Sequence, residues 1–256
     1  MMIQITMEYT DKINTSDYSF EFKDVIKYCT DNTLFIGEGN PNSKILIIGK
    51  EIGGGMPRTF EDIIANSIYD VQRNIESWIN PAGYPLSSIK TDVFNHGRNP
   101  TWTNYQKLVS TIIGNDICLD NYDFLNHCFI TEMSDIHLPN SNFIRTFNAN
   151  ERKKLDILRI ENVCKRTELF KMPFFRGFTI IIMACGRYPN DFKFDIESVF
   201  DVEWTGKTEV LSKGNFYSIY CGDFKILIHT RQMSSGVSNN LISKVGNNCR
   251  FDCYSD

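Results

Sequence analysis

The chain has 256 residues, 42% hydrophobic and 23% charged, with a formal net charge of −4. These values fit one large folded domain and exclude a chain that is disordered throughout. They also exclude a surface coated with positive charge, but not a local basic face, because phosphate contacts depend on where charge sits.

Residues 1–19 are polar and read as a loose lead-in to a single domain that takes up the rest of the chain. The first residues, M-M-I-Q-I-T-M-E-Y-T-D-K, lack the basic segment and apolar stretch of a signal peptide. No run reaches the roughly 18 apolar residues of a membrane span. A cytoplasmic protein is therefore expected. Its eight cysteines (29, 118, 128, 164, 185, 221, 249 and 253) form no C-x-x-C pair. They read as reduced, several of them within apolar runs. The Cys249/Cys253 spacing is unspecific, and neither a metal nor a cofactor is expected.

A short helix is predicted near Phe20–Thr30, and Gly37–Asn42 is loop chemistry. Lys44–Gly49 (K-I-L-I-I-G) reads as a buried strand running into the Gly-rich loop Glu51-Ile52-Gly53-Gly54-Gly55. Thr59–Ile79 has helical spacing, and Asn80–Pro100 is a long connection of the kind that is usually functional or mobile. Thr101–Ile113 reads as a helix with Trp102 and Tyr105 on its apolar face. His127–Thr131 is a second strand, ending at Glu132, and Glu151–Phe170 a charged helix. Eight basic and four acidic residues lie between Arg145 and Lys171, an excess that suits a solvated helix face. Gly177–Gly186 is a third strand, and a hairpin is expected around Ser212-Lys213-Gly214-Asn215. Lys225–His229 is the last strand, followed by a Ser/Gly-rich loop with Met233 at its tip and a closing helix.

Strands alternating with helices predict an α/β fold: a three-layer α/β/α sandwich around a central, mostly parallel four-stranded sheet. The carboxyl ends of such strands share one edge, where open α/β sheets place their ligands. Glu51, Glu132, Gly186-Arg187 and His229 are expected to converge there. Rival motifs do not hold. G-E-G-N-P-N-S-K at 37–44 precedes its strand, so it is not a phosphate loop. Gly49 with Gly53–Gly55 misses dinucleotide spacing, and no Gly-x-Ser-x-Gly elbow or helical His pair occurs.

Taken in order, four strand ends resemble those of the uracil-DNA glycosylase superfamily over roughly residues 40–246. Ile45–Gly53 (I-L-I-I-G-K-E-I-G) resembles the first motif, a strand followed by a G-Q-D-P-Y-H or G-E-x-P-G loop. Phe129-Ile130-Thr131-Glu132, with Pro139-Asn140 beyond, resembles the strand ending in T-N. Ile180–Gly186 resembles the strand that leads to a glycine and a helix, and His229–Ser234 the final H-P-S-P-L-S.

The resemblance implies a DNA-base-directed N-glycosylase. Glu51 would stabilise the sugar cation and orient water. His229 would stabilise the departing base. Gly49, Lys50, Gly53 and Glu132 would meet the base, with Trp102 and Tyr105 stacking on it. Met233 would stand where the family has its wedge leucine, filling the stack vacated by an extruded base. Arg231, Ser234 and Ser235, with Lys225 and Lys244, would hold the phosphates of a single- or double-stranded DNA partner.

Three features depart from the pattern. Glu132 replaces the base-reading asparagine, and an ionised carboxylate only accepts hydrogen bonds. Ile52 and Thr230 stand where the loops have proline, and the iron–sulfur cysteines of some branches have no counterpart. Two other readings use the same crevice: a non-catalytic nucleic-acid or nucleotide-binding module, and a small-molecule, nucleoside-type hydrolase. Residue by residue there are plainer roles too. Methionine commonly fills a core gap, an aromatic stripe at helical spacing suits a core, and Glu132 suits a helix cap.

Overall fold

The structure is a computed structural model that describes residues 18–51, 59–80, 100–117, 119, 122–138, 144–212, 214–234 and 236–251. Seven strands form one mixed sheet: β1 (Glu38–Gly39), β2 (Ile45–Glu51), β3 (Cys128–Ser134), β4 (Ile180–Ala184), β5 (Glu203–Ser212), β6 (Asn215–Gly222) and β7 (Lys225–Thr230). Among the described residues eight helices accompany them: α1 (Phe20–Asn32), α2 (Phe60–Ile79), α3 (Pro100–Ile113), α4 (Ala149–Phe170), α5 (Pro173–Arg176), α6 (Tyr188–Asp191), α7 (Ile196–Phe200) and α8 (Asn239–Phe251).

The strand order is β1-β3-β2-β4-β7-β6-β5. The middle four, β3-β2-β4-β7, are mutually parallel. The expected four-stranded sheet is thus the centre of a sheet of seven. A two-residue turn joins β6 to β7, with Gly222 opposite Lys225. So short a connection permits only antiparallel pairing, and it draws the predicted hairpin into the sheet as a flank.

Apolar residues cover both faces of the central strands, which explains their unbroken hydrophobic runs. Leu46, Ile48, Phe129, Ile181 and Leu227 face one core, together with α1, α2, α5 and the end of α4. Ile45, Ile47, Ile130, Ile182 and Ile228 face the other, under α3 and α8. The long helices start where their sequences cap them. Thr59 and Asp62 form a reciprocal capping box at α2, with bonds of 2.9 and 3.1 Å. Asn148 and Glu151 do the same at α4. Among the described residues no helix is long and apolar enough to cross a membrane.

Arg166 ties α4 to the sheet. Its guanidinium is fully buried, 2.7 Å from Asp135 Oδ1, and it donates to the Phe35 carbonyl and to Thr131 Oγ1. A buried charge persists only when it is paired in this way. Four of the free cysteines (29, 128, 185 and 249) are buried, whereas Cys164 and Cys221 are exposed.

Candidate functional site

The carboxyl ends of β2 and β3 bring Glu51 and Glu132 together, two residues past the point where each strand stops being wholly apolar. Both oxygens of Glu51 are engaged. Lys50 Nζ lies 2.8 Å from Oε1, and the Tyr188 hydroxyl donates to Oε2. Burial and the adjacent Glu51 raise the Tyr188 pKa, so that the phenol keeps its proton and remains a donor. Arg159 completes the arrangement from α4. Its Nη2 donates to the Tyr188 oxygen at 3.1 Å, and its guanidinium lies over the rings of Tyr188 and Phe192.

Glu132 pairs with Gly49 across β2 and β3. A Cβ at residue 49 would overlap the Glu132 carboxyl group, so the missing side chain of Gly49 is what gives that carboxyl its place. Although Glu132 is half-buried as a residue, its Oε2 is inaccessible and has no hydrogen-bond partner among the described residues. Burial pushes its pKa up to about 8; Arg166 opposes the shift, while Glu51, Glu38 and Asp135 add to it. The shift favours the neutral acid. A neutral carboxyl carries an O–H donor beside a carbonyl acceptor.

His137, just beyond β3, lies within reach of the same charges. It is 2% exposed, its backbone N–H donates to Ser67 Oγ, and its Nε2 is 3.0 Å from Asp70 Oδ2. Burial lowers its pKa against the pull of Asp70, Asp135 and Glu51. Nδ1 has no partner. Sequence reasoning missed His137, Asp70, Tyr188 and Arg159. The only local signal was an ionisable residue in S-D-I-H-L-P directly after a strand.

His229 does not join this group. Parallel partners share a face, and the row Glu132–Gly49 continues along the sheet to Ala184 and Thr230, on the α3/α8 side. His229 belongs to the neighbouring row, with Met183 and Ser218, and turns to the opposite face. There Nε2 donates to the Gly186 carbonyl at 2.6 Å and the ring meets Phe216 edge-on. The expected single crevice is two sites on opposite faces. The β4–α6 connection links them, since Gly186 bonds His229 while Tyr188 bonds Glu51.

Of the residues expected to contact DNA, Met233 and Lys225 stand away from that role. Met233 is completely buried in the core under α3 and α8, and its carbonyl and that of Ser234 both accept from Asn104 Nδ2 at 3.2 Å. It is a core residue and not a projecting wedge. Arg231 Nη1 donates to the Gly236 carbonyl. Lys225 begins β7, at the opposite edge of the sheet, and donates to the Phe200 carbonyl. Lys244 lies 3.7 Å from Glu209. Tyr105 is buried, and Trp102 is half-buried against Tyr105 and Phe124, both as parts of the core. Ile52, Gly53, Pro139, Asn140, Ser235 and Cys253 lie outside the described residues.

Comparison with models of known protein families and with curated proteins finds no match to this chain.

Proposed function

We propose that the chain is a uracil-DNA-glycosylase-like protein of three-layer α/β/α architecture that hydrolyses the N-glycosidic bond of a flipped or altered base. The observation that carries this reading is the pair of carboxyl groups, Glu51 and Glu132, on adjacent parallel strand ends in opposite states of engagement. Glu51, oriented by Lys50 and Tyr188, suits a group that stabilises a developing sugar cation and directs water onto it. Glu132, held toward its protonated form and without a partner for Oε2 among the described residues, suits the base. Its O–H and C=O together complement the N–H and C=O of a lactam edge, and the O–H can donate to the departing base as negative charge grows on it. Glu132 takes the donor role that the resemblance gave to His229, whose Nε2–H is spent on Gly186.

The test is incubation with single- and double-stranded oligonucleotides carrying uracil or other altered bases, scored by strand breakage at abasic sites. Glu51→Gln is expected to slow base release by about 10²-fold or more while oligonucleotide affinity changes little. Absence of both base release and binding on every substrate would sink the reading.

A second reading is favoured by the burial of Met233 and the distance of Lys225 from this edge, which remove the wedge and one phosphate contact. In it the same two carboxyl groups hydrolyse a free nucleoside. Release of base from nucleosides but not from oligonucleotides would select it.

A further inference from the structure

The antiparallel flank forms a second, separate concavity on the face of the sheet that carries His229. Its volume is about 430 Å³, within the range of small-ligand pockets. Register builds its floor: Thr208 pairs with Ser218 and Ser218 with His229, so that three polar side chains stand in one row across β5, β6 and β7. Trp204, Tyr220 and Phe216 form its aromatic walls, and the segments on either side of α6 close the other side. Neither Glu51 nor Glu132 lines it.

The Gly186 carbonyl can only accept, so the His229 proton is on Nε2 and Nδ1 carries the bare lone pair. His229 is 8% exposed, and burial lowers its pKa, which keeps the ring neutral. Nδ1 meets no partner among the described residues. On a pocket wall such a lone pair can accept a donor from a ligand. Thr208 Oγ1 and Ser218 Oγ, 2.8 Å apart, share one hydrogen and leave the other hydroxyl hydrogen for the pocket. Trp204 is 51% exposed, with a large ring surface left open for stacking.

The rim decides the charge of the ligand. Asp195 accepts from Ser198 N and Glu197 from Trp204 N, each through one oxygen, so that each keeps an acceptor oxygen for hydroxyl groups. Against these two acids stands Arg187, itself 3.7 Å from Asp191. That balance accommodates sugar hydroxyls and opposes a phosphate.

We propose that this flank pocket binds a neutral nucleoside, its base stacked on Trp204 and donating an N–H to His229 Nδ1, its sugar hydroxyls turned toward Asp195 and Glu197. The site is distinct from the one at Glu51 and does not depend on any reaction there.

Adenosine is the probe, titrated calorimetrically and by amide chemical shifts. Saturable binding is expected, with shifts at Gly186, Phe216, Ser218 and His229, and weaker binding of adenosine 5′-monophosphate. Trp204→Ala, a change on an exposed strand, should weaken adenosine binding about tenfold, the scale of one lost base stack. His229→Phe keeps the ring and removes the acceptor, and should weaken it comparably; should that variant not fold, Trp204→Ala decides alone. No saturation up to about 5 mM, far weaker than useful recognition, would overturn the proposal. So would undiminished binding by Trp204→Ala, or shifts confined to Gly49, Lys50 and Glu132. Base release does not enter this measurement, so a failed glycosylase assay leaves it standing.

Discussion

The four central parallel strands and the antiparallel flank meet at β7, and they treat polar groups in opposite ways. The central strands are apolar on both faces until near their carboxyl ends, where half-buried Glu132 and, just beyond β3, buried His137 each keep a buried polar atom with no partner among the described residues. On the flank, β5 is exposed along most of its length, and its polar groups are shared in pairs: Thr208 with Ser218, Tyr217 with Glu209. Buried polar groups without partners are uncommon in folded proteins because desolvation is costly. Their gathering at one strand edge marks where the fold gives up stability, as catalytic and binding sites do. On the flank no described side chain keeps a buried polar atom unpaired.

The link between the central strands and the helix behind them carries the largest expected effect. Arg166→Ala would leave Asp135 as an unpaired buried charge and free the Phe35 carbonyl and Thr131. A loss of about 4 kcal/mol is expected, measured by urea unfolding. Replacing both partners, as Arg166→Met with Asp135→Leu, should cost less than the single change. An equal or larger cost for the double variant would show that the pair is not what holds α4 in place.

Met233 provides the next largest effect and separates two readings of the loop after β7. As a core residue, Met233→Ala should lose about 3 kcal/mol. A projecting wedge would lose no more than about 0.5 kcal/mol, as surface substitutions do. Thermal unfolding distinguishes the two without any knowledge of substrate.

Met233 also shows what the sequence could convey. The loop M-S-S-G is polar around one methionine, and nothing local says that Asn104 on α3 ties down its backbone. The central strands were legible because continuous Ile/Leu runs bounded by Gly and Pro have few other uses, α2 was legible from its helical spacing and α4 from its run of charges. Helices as short as α5, α6 and α7 contain too few residues to show a period. The facing of His229 was hidden for a different reason. Alternation within β7 is readable, but its phase relative to Glu132 depends on register across three strands, and register is a property of the folded sheet. Glu51 and Glu132 were found because each ends an apolar run. The protonation of Glu132 was not, since burial and acids from β1, β2 and the segment after β3 combine to produce it.

That protonation gives the smallest predicted effect and the one most specific to the central strand ends. The ordinary value for the carboxyl is 4.5, and in the folded chain it is about 8. Between these values the folded state holds a proton that the unfolded chain has released, so Glu132 makes stability fall as pH rises through that window. Glutamine keeps the donor and acceptor and cannot ionise. Glu132→Gln should therefore match the wild type near pH 4.5 and exceed it at pH 9. The full shift sets a ceiling of about 5 kcal/mol, and a half-buried side chain that can turn toward water when ionised should reach about 2 kcal/mol. Unfolding curves across this range measure the difference directly. A gap that is constant with pH would mean that Glu132 is ionised throughout, and the acid–carbonyl pair offered to a base would have to be given up. A gap that opens in this window, with uracil-type bases held by wild type only below about pH 8 and by Glu132→Gln at either pH, would join the stability defect to base recognition in one titrating group.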